Sequence, residues 1–177
     1  MKSLVKLTFL ALLGTFVFAT AASSAAAAPL PEPADPAIVP VRSLGGVKLG
    51  GSVKAADRRW GKRGECSSQF CTYGGEGQRG SAFITKVGSD GVSSARIAAG
   101  TKRSGKPAFK GPLMRFEATG KKKRRVGLGS SLRDVERAFP EAHRTEAGVE
   151  LRGSGRSRLS FVAGDGPRVT VIELSAR

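Results

Sequence analysis

A 14-residue stretch occurs twice in this chain, and a duplicated unit limits the possible folds more than any count of residue types. Residues 47–60 and 126–139 superpose without a gap at a shift of 79 positions. Val47 falls on Val126, Leu49 on Leu128, Gly50 on Gly129, Ser52 on Ser131 and Arg58 on Arg137. Conservative pairs fill much of the rest: Val53 with Leu132, Lys54 with Arg133, Ala56 with Val135, Asp57 with Glu136, Trp60 with Phe139. Self-similarity at a fixed period marks a supersecondary unit used more than once.

Each copy carries the start signal of a short helix. Ser52 and Ser131 are the N-cap candidates, and Asp134, three residues after Ser131, completes a variant of the capping box. Leu132, Val135, Ala138 and Phe139 then share one face, as do Val53, Ala56 and Trp60. Gly61 and Pro140 are the stop signals. Helices of about two turns are unstable alone, so both must dock an apolar face elsewhere.

After the first helix, residues 69–73, 81–87 and 92–98 alternate as strands, with Gly74-Gly75 and residues 88–91 as turns. After the second, residues 148–152, 158–163 and 168–174 do the same. Val92 matches Val169 and Ile97 matches Leu174 at a shift of 77. The expected fold class is therefore α+β: two tandem repeats of a short helix followed by a three-stranded antiparallel meander, with the helices packed on one face of the sheet. Repeat 1 spans 44–100 and repeat 2 spans 125–177, together forming one domain of roughly 130 residues. The glycine- and proline-punctuated stretch 101–124 is expected to be a basic connecting loop.

The start of the chain reads as a signal peptide over residues 1–27. Lys2 and Lys6 form its charged region, residues 9–19 its apolar core, and the Ala25–Ala28 run its small-residue cleavage site. A cut before Ala28 avoids a new N-terminus at Pro29. The competing reading is an uncleaved anchor, but the apolar part is nearer the length of a signal core than the roughly 20 residues of a span. Either way the remainder is expected outside the cytoplasmic membrane, secreted or wall-associated, with no stable span after cleavage. Residues 28–43, with five of the nine prolines between Pro29 and Pro40, read as a semi-rigid linker.

A short Leu-Gly-x-Ser-x-x-x-Val helix start, followed by a meander whose first strand is tied to the helix end by the pair Cys66 and Cys71, resembles the tandem repeat of the β-lactamase inhibitory protein. More distantly, it is similar to the single unit of the outer-membrane-assembly lipoproteins of the SmpA/OmlA type. The resemblance covers roughly residues 44–174, and its specific part is the two helix starts and the cysteine pair. It implies one sheet with helices on one face and a concave opposite face used for protein contact. The chain departs from that family in lacking a second cysteine pair and a lipidation cysteine, and in having one Trp and one Tyr. The resemblance therefore implies a manner of contact but carries over no contact residue.

The formal charge is +16, and without Lys2 and Lys6 the remaining 28 basic and 14 acidic residues leave +14. Such a charge implies attraction to polyanions. Its densest run is Lys121, Lys122, Lys123, Arg124 and Arg125, the candidate polyanion-binding site; the plainer reading is a solvated loop. No aromatic residue interleaves the run to stack a base, which argues against nucleic acid as the proper partner. Cys66 and Cys71, the only cysteines, are expected to form a structural disulfide worth roughly 2 kcal/mol from loop-closure entropy. A redox pair is the alternative, though the spacing is not Cys-x-x-Cys.

No catalytic, metal-binding or cofactor-binding set is expected. His143 is the single histidine, Ser131 is already accounted for as a cap, and neither a Gly-x-Ser-x-Gly elbow nor a phosphate-binding Gly-rich loop occurs. The reading is a secreted, non-enzymatic binding protein, inhibitor-like in its resemblance, that engages an extracellular or envelope protein. The alternative is a charge-driven binder of anionic wall polymers.

Overall fold

The structure, a computed structural model, describes residues 36–61, 63–73 and 80–176. The expected signal peptide, the linker as far as residue 35 and the Gly74-Gly75 turn lie outside the described residues.

Both helices form where the caps place them, α1 over Val53–Trp60 and α2 over Leu132–Ala138. The Ser52 hydroxyl oxygen accepts from the Ala55 N–H at 3.1 Å, and that of Ser131 from the Asp134 N–H at 3.1 Å. The Ser131 hydroxyl donates in turn to the Asp134 carboxylate at 2.6 Å, which holds that carboxyl below the usual range, with Arg137 assisting. The inward stripes Val53, Ala56, Trp60 and Leu132, Val135, Ala138, Phe139 are all buried.

Strands β1 (Ala37–Val39), β2 (Ser43–Leu44) and β3 (Val47–Lys48) precede α1. It is followed by β4 (Arg63–Cys66), β5 (Phe70–Tyr73), β6 (Ser81–Val87) and β7 (Gly91–Ala98). Next come β8 (Gly100–Thr101), β9 (Pro107–Ala108), β10 (Glu117–Thr119) and β11 (Arg125–Gly127), then α2. The chain closes with β12 (His143–Arg144), β13 (Gly148–Arg152), β14 (Ser157–Ala163) and β15 (Val169–Ala176).

This architecture overturns the expected α+β class. Among the described residues 49% lie in strands and 16% in helices, so the chain is mostly β. Each helix is followed by four strands rather than three, and all eight join one antiparallel sheet in the order β12-β13-β14-β15-β7-β6-β5-β4. A second sheet, β11-β10-β1-β2-β3, was not expected at all. Two of its strands, β1 and β10, come from segments read as linker and connector, while β3 and β11 lie at the starts of the two repeats: β1 runs parallel to β10, setting Ile38 beside Ala118, and β10 pairs antiparallel with β11. Its strands are two or three residues long, too short for period-2 alternation to register in a sequence.

The second sheet packs into the same core as the helices and the inner face of the large sheet. Trp60 joins them. Its indole N–H donates to the Gly45 carbonyl at 3.1 Å, and its ring meets Tyr73 and Phe116 edge-on at centroid distances of 5.4 and 6.1 Å. Gly45 sits at φ +56°, and a Cβ there would collide with the Phe116 ring, so only glycine fits.

The sequence duplication reappears in the hydrogen bonds. Gly50 N–H donates to the Val92 carbonyl and Val92 N–H to that of Gly51, both at 2.8 Å; Gly129, Val169 and Ser130 repeat this at 2.8 Å. Each helix start is thus stitched to the last strand of its own unit. The two units meet where β7 pairs with β15, in the register Ala95 with Leu174, Arg96 with Glu173 and Ile97 with Ile172. Since a shift of 77 maps Ala95 on Ile172, Arg96 on Glu173 and Ile97 on Leu174, this register is that of a local two-fold axis passing between Arg96 and Glu173.

Candidate functional site

Side chains alternate across a strand, so the large sheet has one row set in the core and one outside. Cys71, Tyr73, Ala82, Ile84, Ala95, Ile97, Ile172, Leu174, Leu159 and Phe161 point inward and are buried. On the opposite face Thr72, Phe83, Arg96, Glu173, Ser160 and Glu150 stand in register across neighbouring strands. A second outward row runs Phe70, Thr85, Ser94, Ser175, Arg158, Arg152.

The two halves of this face differ. On the second unit, Arg152 Nε lies 2.8 Å and Arg158 Nη1 3.8 Å from the Glu150 carboxylate, and Arg158 Nε donates to the Ser175 hydroxyl at 2.9 Å. That network closes over itself and leaves Glu150 and Ser175 buried. On the first unit, Phe83 is half-buried, Arg96 is exposed and Phe70 keeps 38% of its surface in solvent. Phe70 and Phe83 are diagonal neighbours on β5 and β6, and Arg96 stands directly across from Phe83. Two aromatic rings beside a guanidinium give this half a patch able to adhere to a partner.

The first unit is also the more firmly braced. The Tyr73 hydroxyl donates to Asp57 Oδ1 at 2.8 Å, and Arg63 Nη2 lies 3.2 Å from Asp57 Oδ2. Burial, and then the bond to Asp57, push the Tyr73 hydroxyl above the usual tyrosine range. Cys66 and Cys71, opposite one another on β4 and β5, form a disulfide with Cys71 buried. Arg144 repeats only the ion pair, bonding Glu136 at 2.7 Å in the second unit.

The basic run caps the β10–β11 hairpin, all five residues exposed. Instead of a plain loop, Lys121–Lys123 form a 3-10 turn with both Lys122 and Lys123 at φ +56°. Gly120 holds this turn against α2, since a Cβ there would strike the Ala138 carbonyl. Carboxylates partly offset the run: Glu141 lies 3.9 Å from Lys121, and Glu117 3.8 Å from Arg125. Lys122, Lys123 and Arg124 form no ion pair among the described residues. His143 is exposed on β12, and Ser52 and Ser131 are caps. No cluster of three or more metal-ligating side chains occurs among the described residues.

Sequence reading located the basic run and the disulfide but missed Phe70, Phe83 and Arg96. The available signal was an aromatic at an outward parity: Ala82 and Ile84 are core positions, so Phe83 between them had to face outward. Set against known protein families, curated proteins and solved structures, the chain matches none.

Proposed function

We propose that the chain is a non-enzymatic binding protein that works outside the cell and engages a protein partner through the first-unit half of its outer sheet face. The observation that carries this is the asymmetry of that face: Phe70, half-buried Phe83 and Arg96 stand together on the outside of one half, where the related half carries the Glu150, Arg152 and Arg158 network. Aromatic and arginine side chains are those that most often anchor protein interfaces. With +14 left once residues 1–27 are removed, the fitting partner has an apolar centre within an acidic surface. Inhibition of an extracellular enzyme is the specific form the family resemblance implies. The disulfide fits an oxidising compartment, and no helix among the described residues is long and apolar enough to cross a membrane. Export through residues 1–27 is part of the proposal.

The second reading, a binder of anionic wall polymers, is favoured by one observation, the exposed cations at the β10–β11 tip. Photo-crosslinking separates the two. A benzophenone side chain placed at position 83 is expected to capture a protease-sensitive partner from the native envelope, and Arg96→Glu to abolish that capture. Crosslinks formed only from position 122, to protease-resistant material, would transfer the function to the hairpin tip.

A further inference from the structure

A cleft of about 550 Å³ opens between the β8–β9 hairpin and the β14–β15 turn, away from the sheet face and the basic run. The hairpin side is set by its own turn, where the Lys102 N–H donates to the Lys106 carbonyl at 2.8 Å and the Gly105 N–H to that of Lys102 at 2.9 Å. Phe109, Pro107 and Pro167 line a largely apolar interior. The half-buried Phe109 ring is seated on the helix-start motif, its Cδ1 3.2 Å from where a Cβ on Gly129 would stand. Lys106, Arg168 and Asp165 supply the charge at the cleft, two cations against one carboxylate. Arg168 Nη1 donates to the Gly129 carbonyl at 2.8 Å, which leaves the other guanidinium donors for a ligand and fixes the side chain at the start of α2.

Clefts of roughly 300–1,000 Å³ with apolar walls and a few placed polar groups are the usual form of small-molecule sites. Here the walls suit a ring or short alkyl body, and the net positive charge suits one acidic group. We infer that this cleft binds amphiphilic organic monoanions, an apolar body bearing a single carboxylate or sulfonate. The body lies against Phe109 and the prolines, and the acidic group meets Lys106 and Arg168. Such a site is independent of the sheet-face reading.

Anilinonaphthalene sulfonate is the probe, followed by its fluorescence and by calorimetry on the purified protein. One saturable site is expected, displaced by octanoate, with the uncharged anilinonaphthalene binding at least several-fold more weakly. Reversing the exposed rim charge, Lys106→Glu, should weaken the sulfonate about tenfold, the effect of one lost charge-assisted contact. Asp165→Asn should tighten it a few-fold, a gain that no loss of folding can imitate. Neutralising Lys121 to Arg125 should leave it unchanged. Absence of saturable binding, indifference to Lys106→Glu and Asp165→Asn, equal affinity for the uncharged analogue, or loss of binding on neutralising the run would each overturn the proposal.

Discussion

The two units share a helix start, a hydrogen-bond stitch and a four-stranded plan, yet only one is covalently braced. The first adds a disulfide, a buried tyrosine bonded to a helix carboxylate, and a tryptophan that reaches the second sheet. The second replaces the tryptophan by Phe139, stacked on Phe161 at 6.2 Å, and Tyr73 by Leu151. Bracing and exposed aromatics thus coincide on the same unit. A rigid sheet loses less conformational entropy when a partner binds it, so bracing there has a use beyond stability.

Four measurements test that contrast. The largest expected effect is in the cores of the units: Trp60→Ala should cost about 5 kcal/mol and Phe139→Ala about 3 kcal/mol in urea unfolding followed by circular dichroism. The excess arises because the Gly45 carbonyl also loses its donor. Equal losses would mean that the second sheet adds nothing to the hold on α1. Next, the double variant Cys66→Ala/Cys71→Ala should lose about 2 kcal/mol, with hydrogen exchange rising along β4–β5 but not along β12–β13. Free thiols in the non-reduced protein would remove that brace from the comparison.

Smaller effects belong to the caps. Ser52→Ala and Ser131→Ala should each cost about 1 kcal/mol near neutral pH. Asp134 has a lowered carboxyl pKa in the folded chain, so its contribution is present above the ordinary carboxylate pKa and is lost as pH falls through the lowered one. The penalty of Ser131→Ala should therefore shrink in acid while that of Ser52→Ala does not change. Smallest of all for stability is neutralisation of Lys121 to Arg125, expected to shift unfolding by less than about 0.5 kcal/mol. If Lys122, Lys123 and Arg124 alone are available to a polyanion such as heparin, the slope of log affinity on log salt should flatten by about three. A change of about five would show that the carboxylates near Lys121 and Arg125 do not compete.

How much could be read from the sequence follows from the range of each interaction. The helix starts were legible because a cap and its apolar stripe lie within one turn or two, as at Ser131 and Leu132. The long strands were legible where alternation persists, as in Ser81–Val87, where the observed strand has the expected bounds. The second sheet was not. Ile38, Ala118 and Val126 reach the core from strands of three residues, and the parallel pairing of β1 with β10 joins residues eighty positions apart. Pro36 and Pro40 at the margins of β1 read as linker because proline marks extended chain and strand edges alike. The outer sheet face was partly concealed for another reason: parity shows that Phe83 points outward, but only the β6–β7 register places Arg96 beside it.

The axis between Arg96 and Glu173 has a consequence for charge. Were the same seam made by two identical polypeptides, every residue on the axis would confront its own copy, and an arginine there would face an arginine. Like charges directly opposite on paired strands are destabilising. Linking both units in one chain frees each side of the seam to differ, so a cation can stand against an anion at the centre of the sheet. The asymmetry that begins at that single pair extends outward into two unlike halves, one with the Glu150, Arg152 and Arg158 network and one with Phe70, Phe83 and Arg96 on its outer side.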